Sequence, residues 1–155
     1  MSVAADSTAF TRFVESVAQP LRHALMAAYG RDVGDEATSE VMVYAWENWT
    51  RINGMANPAG YLYRVGQSRA RARLRTRRLP FGPLRPSDGV YWFEPGLAEA
   101  MDSLSQKQRA VVVLVFGFEW TVTEVAEMWG VAFSTVQTHL DRGMAKLRRR
   151  MRVGQ

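Results

Sequence analysis

Cysteine is absent from this 155-residue chain. That excludes disulfides, thiolate zinc sites and cysteine nucleophiles, and it suits a reducing compartment. Histidine is nearly absent: His23 and His139 are the only two, and they fall in different predicted domains. No metal-ligand spacing, phosphate-binding glycine loop or nucleophile motif appears, so neither catalysis nor a cofactor is expected. Long apolar runs are missing as well. The longest, Ala110 to Phe118, is half the ~18 residues that a membrane-spanning helix needs. The first residues carry no basic segment ahead of an apolar core, so no secretory signal is expected. These absences together predict a cytoplasmic protein without membrane insertion.

Acidic residues are missing from two particular stretches. Eight arginines and no acid lie between Arg64 and Arg85, and six Arg or Lys follow Asp141 with no further acid. Ordinary solvated faces mix signs, so two acid-free runs on predicted helices point to a polyanion. Residues 1–40 differ, with six acids against three arginines. The net charge of +5 and pI near 10.1 are therefore unevenly spread. A protein partner is expected for the acidic surface and nucleic acid for the basic ones.

What is present is 47% apolar residues, enough for one domain or two small ones. A helix is predicted over Ser7–Tyr29 from Phe10, Phe13, Val14, Val17, Leu21, Leu25 and Met26, capped by Ser7 or Thr8. Pro20 is expected to interrupt it, and Gly30 to end it. A second helix is expected from about Asp35 to Trp49, opened by its acids, with Ala37, Val41, Tyr44, Ala45 and Asn48 as the stripe. Trp46 and Trp49 are assigned to the core. Asn53-Gly54 and Asn57-Pro58 mark a loop. A third helix runs from Pro58 to Arg78, with Tyr61, Leu62, Val65, Ala72 and Leu74 inward. Residues 80–97 have linker composition, with Pro80, Gly82, Pro83, Pro86 and Gly89 beside Tyr91, Trp92 and Phe93. A helix begins again at Ser105. Its Val-rich run fits a buried strand by composition alone, but helix is preferred because no second strand candidate exists to pair with it.

Thr121 to Arg150 reads as two helices joined by a tight turn. Val125 and Ala126 form one packed face, Gly130 supplies the turn, and Val131 plugs the corner. Val136, Leu140 and Leu147 continue the apolar stripe. The opposite face offers Ser134, Thr135, Gln137, Thr138, His139 and Arg142, side chains that reach base edges and phosphates from a helix in the major groove. DNA binding is thus the leading function from the residues alone.

These pieces resemble bacterial RNA polymerase sigma factors of the extracytoplasmic-function group. Leu104, Gln108-Arg109, Glu124-Val125-Ala126, Gly130-Val131, Thr135-Val136 and Arg142 to Arg148 look like sigma region 4. Tyr44 to Trp49 and Asn57 to Arg78 look like region 2. The resemblance implies an all-α fold of two small helical domains joined by a flexible linker, the second a helix-turn-helix. On that reading residues 1–79 are the region 2-like domain, 80–97 the linker and 98–155 the region 4-like domain. It implies that the chain binds core RNA polymerase and promoter DNA, helps open the duplex, and has an anti-sigma factor as a further possible partner.

Site residues follow from the same resemblance. Ser134, Thr135, Gln137, Thr138, His139, Arg142 and Lys146 would meet the upstream promoter element. Asn57, Tyr61, Arg64, Gln67, Ser68, Arg71 and Arg75 would meet the downstream element and the melted strand. Asp35, Glu36 and Glu40 would meet polymerase. Departures are visible: Ser68 and Ala72 replace the Asn and Asp usual on the melting helix, and Ala132 replaces the capping Ser, with Ser134 as substitute. Two other readings stay open. Thr135 to Leu140 also resembles the recognition helix of LuxR-type regulators, and a degenerate sigma-like interaction protein would share these features.

Overall fold

A computed structural model describes residues 3–77 and 96–153. The chain divides into two compact units, Met1–Leu79 and Pro80–Gln155. Most of the segment read as a linker lies outside the described residues, including Tyr91, Trp92 and Phe93. The described residues are helical, with no strand among them.

The first unit holds α1 (Val3–Tyr29), α2 (Arg31–Glu47), α3 (Trp49–Asn53) and α4 (Pro58–Arg77). Contrary to expectation, α1 runs through Pro20 without a break. A proline inside a helix loses one backbone bond and crowds the preceding turn, but the helix is packed on both sides of it. Upstream, Phe10 and Phe13 lie 5.0–5.3 Å from the Trp46 and Trp49 rings. Downstream, Leu21, Ala24 and Leu25 are fully buried. Ser7 and Thr8 are not caps. The helix starts earlier, and the Thr8 hydroxyl donates back to the Ala4 carbonyl at 3.0 Å.

Gly30 makes the corner between α1 and α2 with φ 89°, a conformation costly for a side chain with Cβ. The chain turns at once, so α2 begins at Arg31. Asp35 and Glu36 therefore sit in its second turn and do not open it. Gly34 lets the two helices cross closely, because a Cβ there would lie 2.7 Å from the Met26 backbone. Asn48 ends α2 before Trp49: its side-chain amide donates to the Tyr44 carbonyl at 3.0 Å, and α3 starts as a separate turn.

The inward side of α4 differs from the expected one. Leu62, Tyr63 and Ala70 are buried, Gly66 lies between them, and Ala72 is exposed. Small residues decide the contact. A Cβ on Gly66 would meet Leu25 at 2.7 Å and Val41 at 3.4 Å, so α4 lies directly on α1 and α2.

The second unit contains α5 (Leu97–Asp102), α6 (Gln106–Val112), a π-helical turn (Val113–Gly117), α7 (Val122–Trp129) and α8 (Phe133–Val153). Capping boxes start α6 (Ser105 with Gln108) and α7 (Thr121 with Glu124), satisfying two N-terminal amides each. The Val-rich run is helical and buried from Ala110 to Leu114. Its register then widens into the π turn, which leaves Phe116 61% exposed. Arg109 is buried here, and burial lowers its pKa against the pull of Asp102.

Gly130 adopts the left-handed conformation (φ 67°) that closes α7, and the Val131 amide donates back to the Ala126 carbonyl at 3.1 Å. Val131 does not plug the corner. The left-handed turn directs it outward, and it is 41% exposed. Val125, Ala126, Met128, Val136, Leu140 and Leu147 are buried in the hairpin, so Val125 and Ala126 form the packed face as expected. Gly143 admits α6, with Val112 and Gln108 at 3.3–3.4 Å from its would-be Cβ.

Candidate nucleic-acid interface

In the second unit, the face of α8 opposite Val136 and Leu140 carries Ser134, Thr135, Thr138 and Arg142, all exposed. Ser134 is inside the first turn of α8 rather than ahead of it. The helix start is satisfied instead through the Ala132 carbonyl, which accepts from the Thr135 and Val136 amides. Thr138 donates to the Ser134 carbonyl at 2.8 Å, which commits its proton and leaves its oxygen able to accept. Gln137 donates to Asp141 at 2.8 Å, which pre-orients its amide along the helix surface.

Two of the expected α8 residues lie elsewhere. His139 is half-buried with its ring edge-on to Trp129, centroids 6.5 Å apart. Desolvation, then the charges of Lys107 and Arg142, push its pKa down. Lys146, one turn beyond Arg142 at the edge of the polar face, turns toward the Ser103 carbonyl at 3.4 Å. Exposed arginines 148, 149, 150 and 152 extend the basic end of α8, where cations also suit the helix dipole.

In the first unit, the arginines of α4 divide into two sets. Arg64, Ser68, Arg71 and Arg75 are exposed on the outer face, with Gln67 half-buried beside them. Gln67 and Arg71 approach the Tyr29 hydroxyl, which is buried without a well-formed hydrogen bond. Burial raises the Tyr29 pKa, and the Arg71 charge opposes that. The other set turns back onto α2. Arg73 pairs with Glu36 at 2.6 Å and also with Glu40, and Arg69 lies 3.7 Å from Glu40. Asp35 pairs with Arg22 of α1 at 2.5 Å. All three acids singled out for polymerase contact thus have arginine partners within the unit. Each remains about a third exposed.

Asn57 and Tyr61 come together at the start of α4, in different roles. The Asn57 side-chain oxygen accepts from the Gly60 amide at 3.0 Å, which is a helix cap. Gly60 has no Cβ to displace that cap. The Tyr61 hydroxyl meets the Tyr44 hydroxyl at 2.7 Å, and the Arg51 guanidinium donates to Tyr44 at 2.8 Å and to Tyr61 at 3.3 Å. The bonds to Tyr44 and then Arg51 lower the Tyr61 pKa. The sequence assigns Arg51 no part and places Tyr44 in the apolar stripe of α2. Sequence spacing carries no signal for a cluster drawn from three helices. Trp46, expected in the core, is 45% exposed beside Phe10, because α2 presents only one face to α1 and α4. Among the described residues, no three His, Asp or Glu gather as a metal-ligand set, and no helix is long and apolar enough to cross a membrane.

Comparison with known proteins follows the same division. The family described as Sigma-70, region 4 matches residues 100–149, which run from within α5 into α8 and include α7 and the turn at Gly130. No curated protein matches the chain's sequence. Among solved structures, the chain is similar to the sigma factor RpoE from Bartonella quintana, determined in complex with the anti-sigma factor NepR. The TM-score is 0.64 at 16% identity, covering 94% of this chain and 98% of that one. It is also similar to CnrH, determined in complex with the cytosolic domain of CnrY, with a TM-score of 0.58, 20% identity, and coverage of 96% and 91%. The chain thus carries a segment similar to Sigma-70 region 4 at residues 100–149, and its all-helical fold is similar to that of these two solved structures over nearly the whole length.

Proposed function

We propose that the chain binds core RNA polymerase and directs promoter recognition, DNA opening and transcription initiation. The observation that carries this is the region 4 match lying over a helix-turn-helix whose polar face is exposed. A second basic helix, in a separate unit, supplies the surface that an ordinary one-site regulator would not need.

On this reading residues 1–79 act as region 2, 80–97 as linker and 98–155 as region 4. The α8 helix enters the major groove of the upstream element. Ser134, Thr135, Gln137 and Thr138 face bases or nearby phosphates there, and Arg142 neutralises a phosphate. His139 and Lys146 flank that face and contribute at its edge. The outer face of α4, with Arg64, Gln67, Ser68, Arg71 and Arg75, runs along the downstream element, where aromatic and cationic groups favour unpaired bases. Asn57 and Tyr61 form its leading end. Asp35, Glu36 and Glu40 remain the candidates for polymerase contact. Their internal arginine partners make that face polar and nearly neutral rather than strongly acidic.

The work is recognition and binding-coupled strand opening, with no bond made or broken by the chain and no cofactor. That work places the chain in the cytoplasm with polymerase. A solved relative sits in complex with an anti-sigma factor, and we assign this chain a partner of the same class.

Run-off transcription tests the proposal. Core polymerase is supplied with genomic fragments, with and without the chain. Chain-dependent start sites sharing upstream and downstream motifs are the expected result. Polymerase binding without transcripts would replace it with an interaction protein. Duplex binding by the chain alone, with no polymerase dependence, would point to the regulator reading.

A further inference from the structure

The hydrogen-bond inventory around Tyr61 leaves donors in excess. Tyr44 from α2, Arg51 from α3 and Tyr61 from α4 converge at one surface point. The two phenol oxygens are 2.7 Å apart, so one proton lies between them. The second phenolic proton has no acceptor among the described residues. Arg51 adds five N–H groups and stacks over the Tyr61 ring, 5.5 Å from its centroid. It has no carboxylate partner among the described residues, unlike Arg22, Arg69 and Arg73. The cluster therefore holds a positive charge, a spare O–H and spare N–H groups, and both of its own oxygens are already engaged.

Such a site is completed by an anionic oxygen that accepts from Arg51 and a phenol together. The lowered Tyr61 pKa agrees, since a more acidic phenol is a stronger donor. The setting extends the argument from one anion to a chain of them. Tyr61 stands one turn from Arg64 on α4, and exposed Ser68, Arg71 and Arg75 continue along that helix.

We propose that Tyr44, Arg51 and Tyr61 form a binding site for a single backbone phosphate of nucleic acid, at the leading end of the α4 track. This rests on the reading of α4 as a DNA-facing helix, joins Tyr44 and Arg51 to the Tyr61 already placed at its leading end, and names a phosphate as what they bind. An unpaired strand and a duplex offer the same phosphodiester, and the experiment separates them.

The test is fluorescence anisotropy with the full chain and one labelled oligonucleotide, used single-stranded and as duplex, across a KCl series. One lost phosphate contact makes the slope of log affinity against log salt shallower by about 0.7 on single strands or about 0.9 on duplex. Arg51→Ala is expected to show that change on the form that uses the site. Arg51→Lys keeps the charge and should keep the slope. Tyr44→Phe should weaken binding severalfold at fixed salt with the slope unchanged. A wild-type slope for Arg51→Ala on both forms would overturn the proposal and leave the cluster as a brace between helices. Loss of folding stability alone does not imitate the result, because the slope counts released counterions. Failure of the sigma reading shows on another readout, the absence of chain-dependent transcripts, and does not alter the oligonucleotide slopes.

Discussion

The Arg73 guanidinium of α4 lies 2.6 Å from the Glu36 carboxylate of α2. It also reaches Glu40, so one arginine of the basic run ties two helices together and is withdrawn from DNA. Arg73→Ala should therefore cost about 1–2 kcal/mol, allowing for partial exposure of the pairs. The salt slope of DNA binding should not change. Arg75→Ala should do the reverse, with stability intact and a shallower slope. Urea denaturation and salt-dependent DNA titration of the two variants check both halves. A shallower slope for Arg73→Ala would show that the pair opens on binding.

Gly34 packs against the Met26 backbone, where a Cβ would sit at 2.7 Å. Backbone cannot yield as a side-chain tip does, so α1 and α2 would have to separate. Gly34→Ala should destabilise the first unit by about 1–3 kcal/mol, despite alanine's better helix propensity. Thermal unfolding followed by circular dichroism measures it, and an unchanged melting point would refute the close crossing.

Gly130 has open space around its would-be Cβ, so strain there is purely conformational. Gly130→Ala should cost about 1 kcal/mol through the left-handed backbone, and Gly130→Asn less. Equal stability of the two variants would show that the turn relaxes to another conformation.

Arg142 and Gln137 should separate by kind of effect. Arg142→Ala is expected to weaken binding to all duplex sequences and reduce the salt slope by about 0.9. Gln137→Ala should alter sequence preference, and Asp141→Ala should raise affinity by removing an acid and releasing Gln137. Binding to a randomised duplex pool, followed by sequencing, reads preference directly. A uniform loss for Gln137→Ala would remove it from base reading.

The histidines set an acid limit on stability. Both His23 and His139 have pKa values below the ordinary 6.5, chiefly through desolvation. The unfolded chain then binds protons more readily than the folded one. Stability from this source is complete above about pH 6.5 and falls as pH drops toward the folded values. His139→Gln should flatten that decline in the second unit and His23→Gln in the first. A decline unchanged in both variants would assign it to carboxylates instead.

The helix-turn-helix was legible because its signals are local. Thr121 with Glu124, and Gly130 nine residues after Thr121, act locally along the chain, and the Val136, Leu140 and Leu147 stripe repeats at helical spacing. Arg64, Ser68, Arg71 and Arg75 were likewise readable as one exposed face. The hidden parts depend on what lies across from a residue. Pro20 reads as a break until the aromatic contacts before it and the buried leucines after it are known. The acids of α2 read as free until Arg22, Arg69 and Arg73 are seen to face them.

The sequence by itself determined an all-helical chain, two acid-free basic runs and the hairpin that presents one of them, because periodicity, caps and charge are properties of neighbours in the chain. Only the tertiary structure decided which arginines remain free for a polyanion, that His139 and Lys146 turn aside from the polar face of α8, and that Tyr44, Arg51 and Tyr61 share one point. These depend on helix crossings set by Gly34, Gly66 and Gly143, whose missing side chains fix the distance and angle at which remote residues meet.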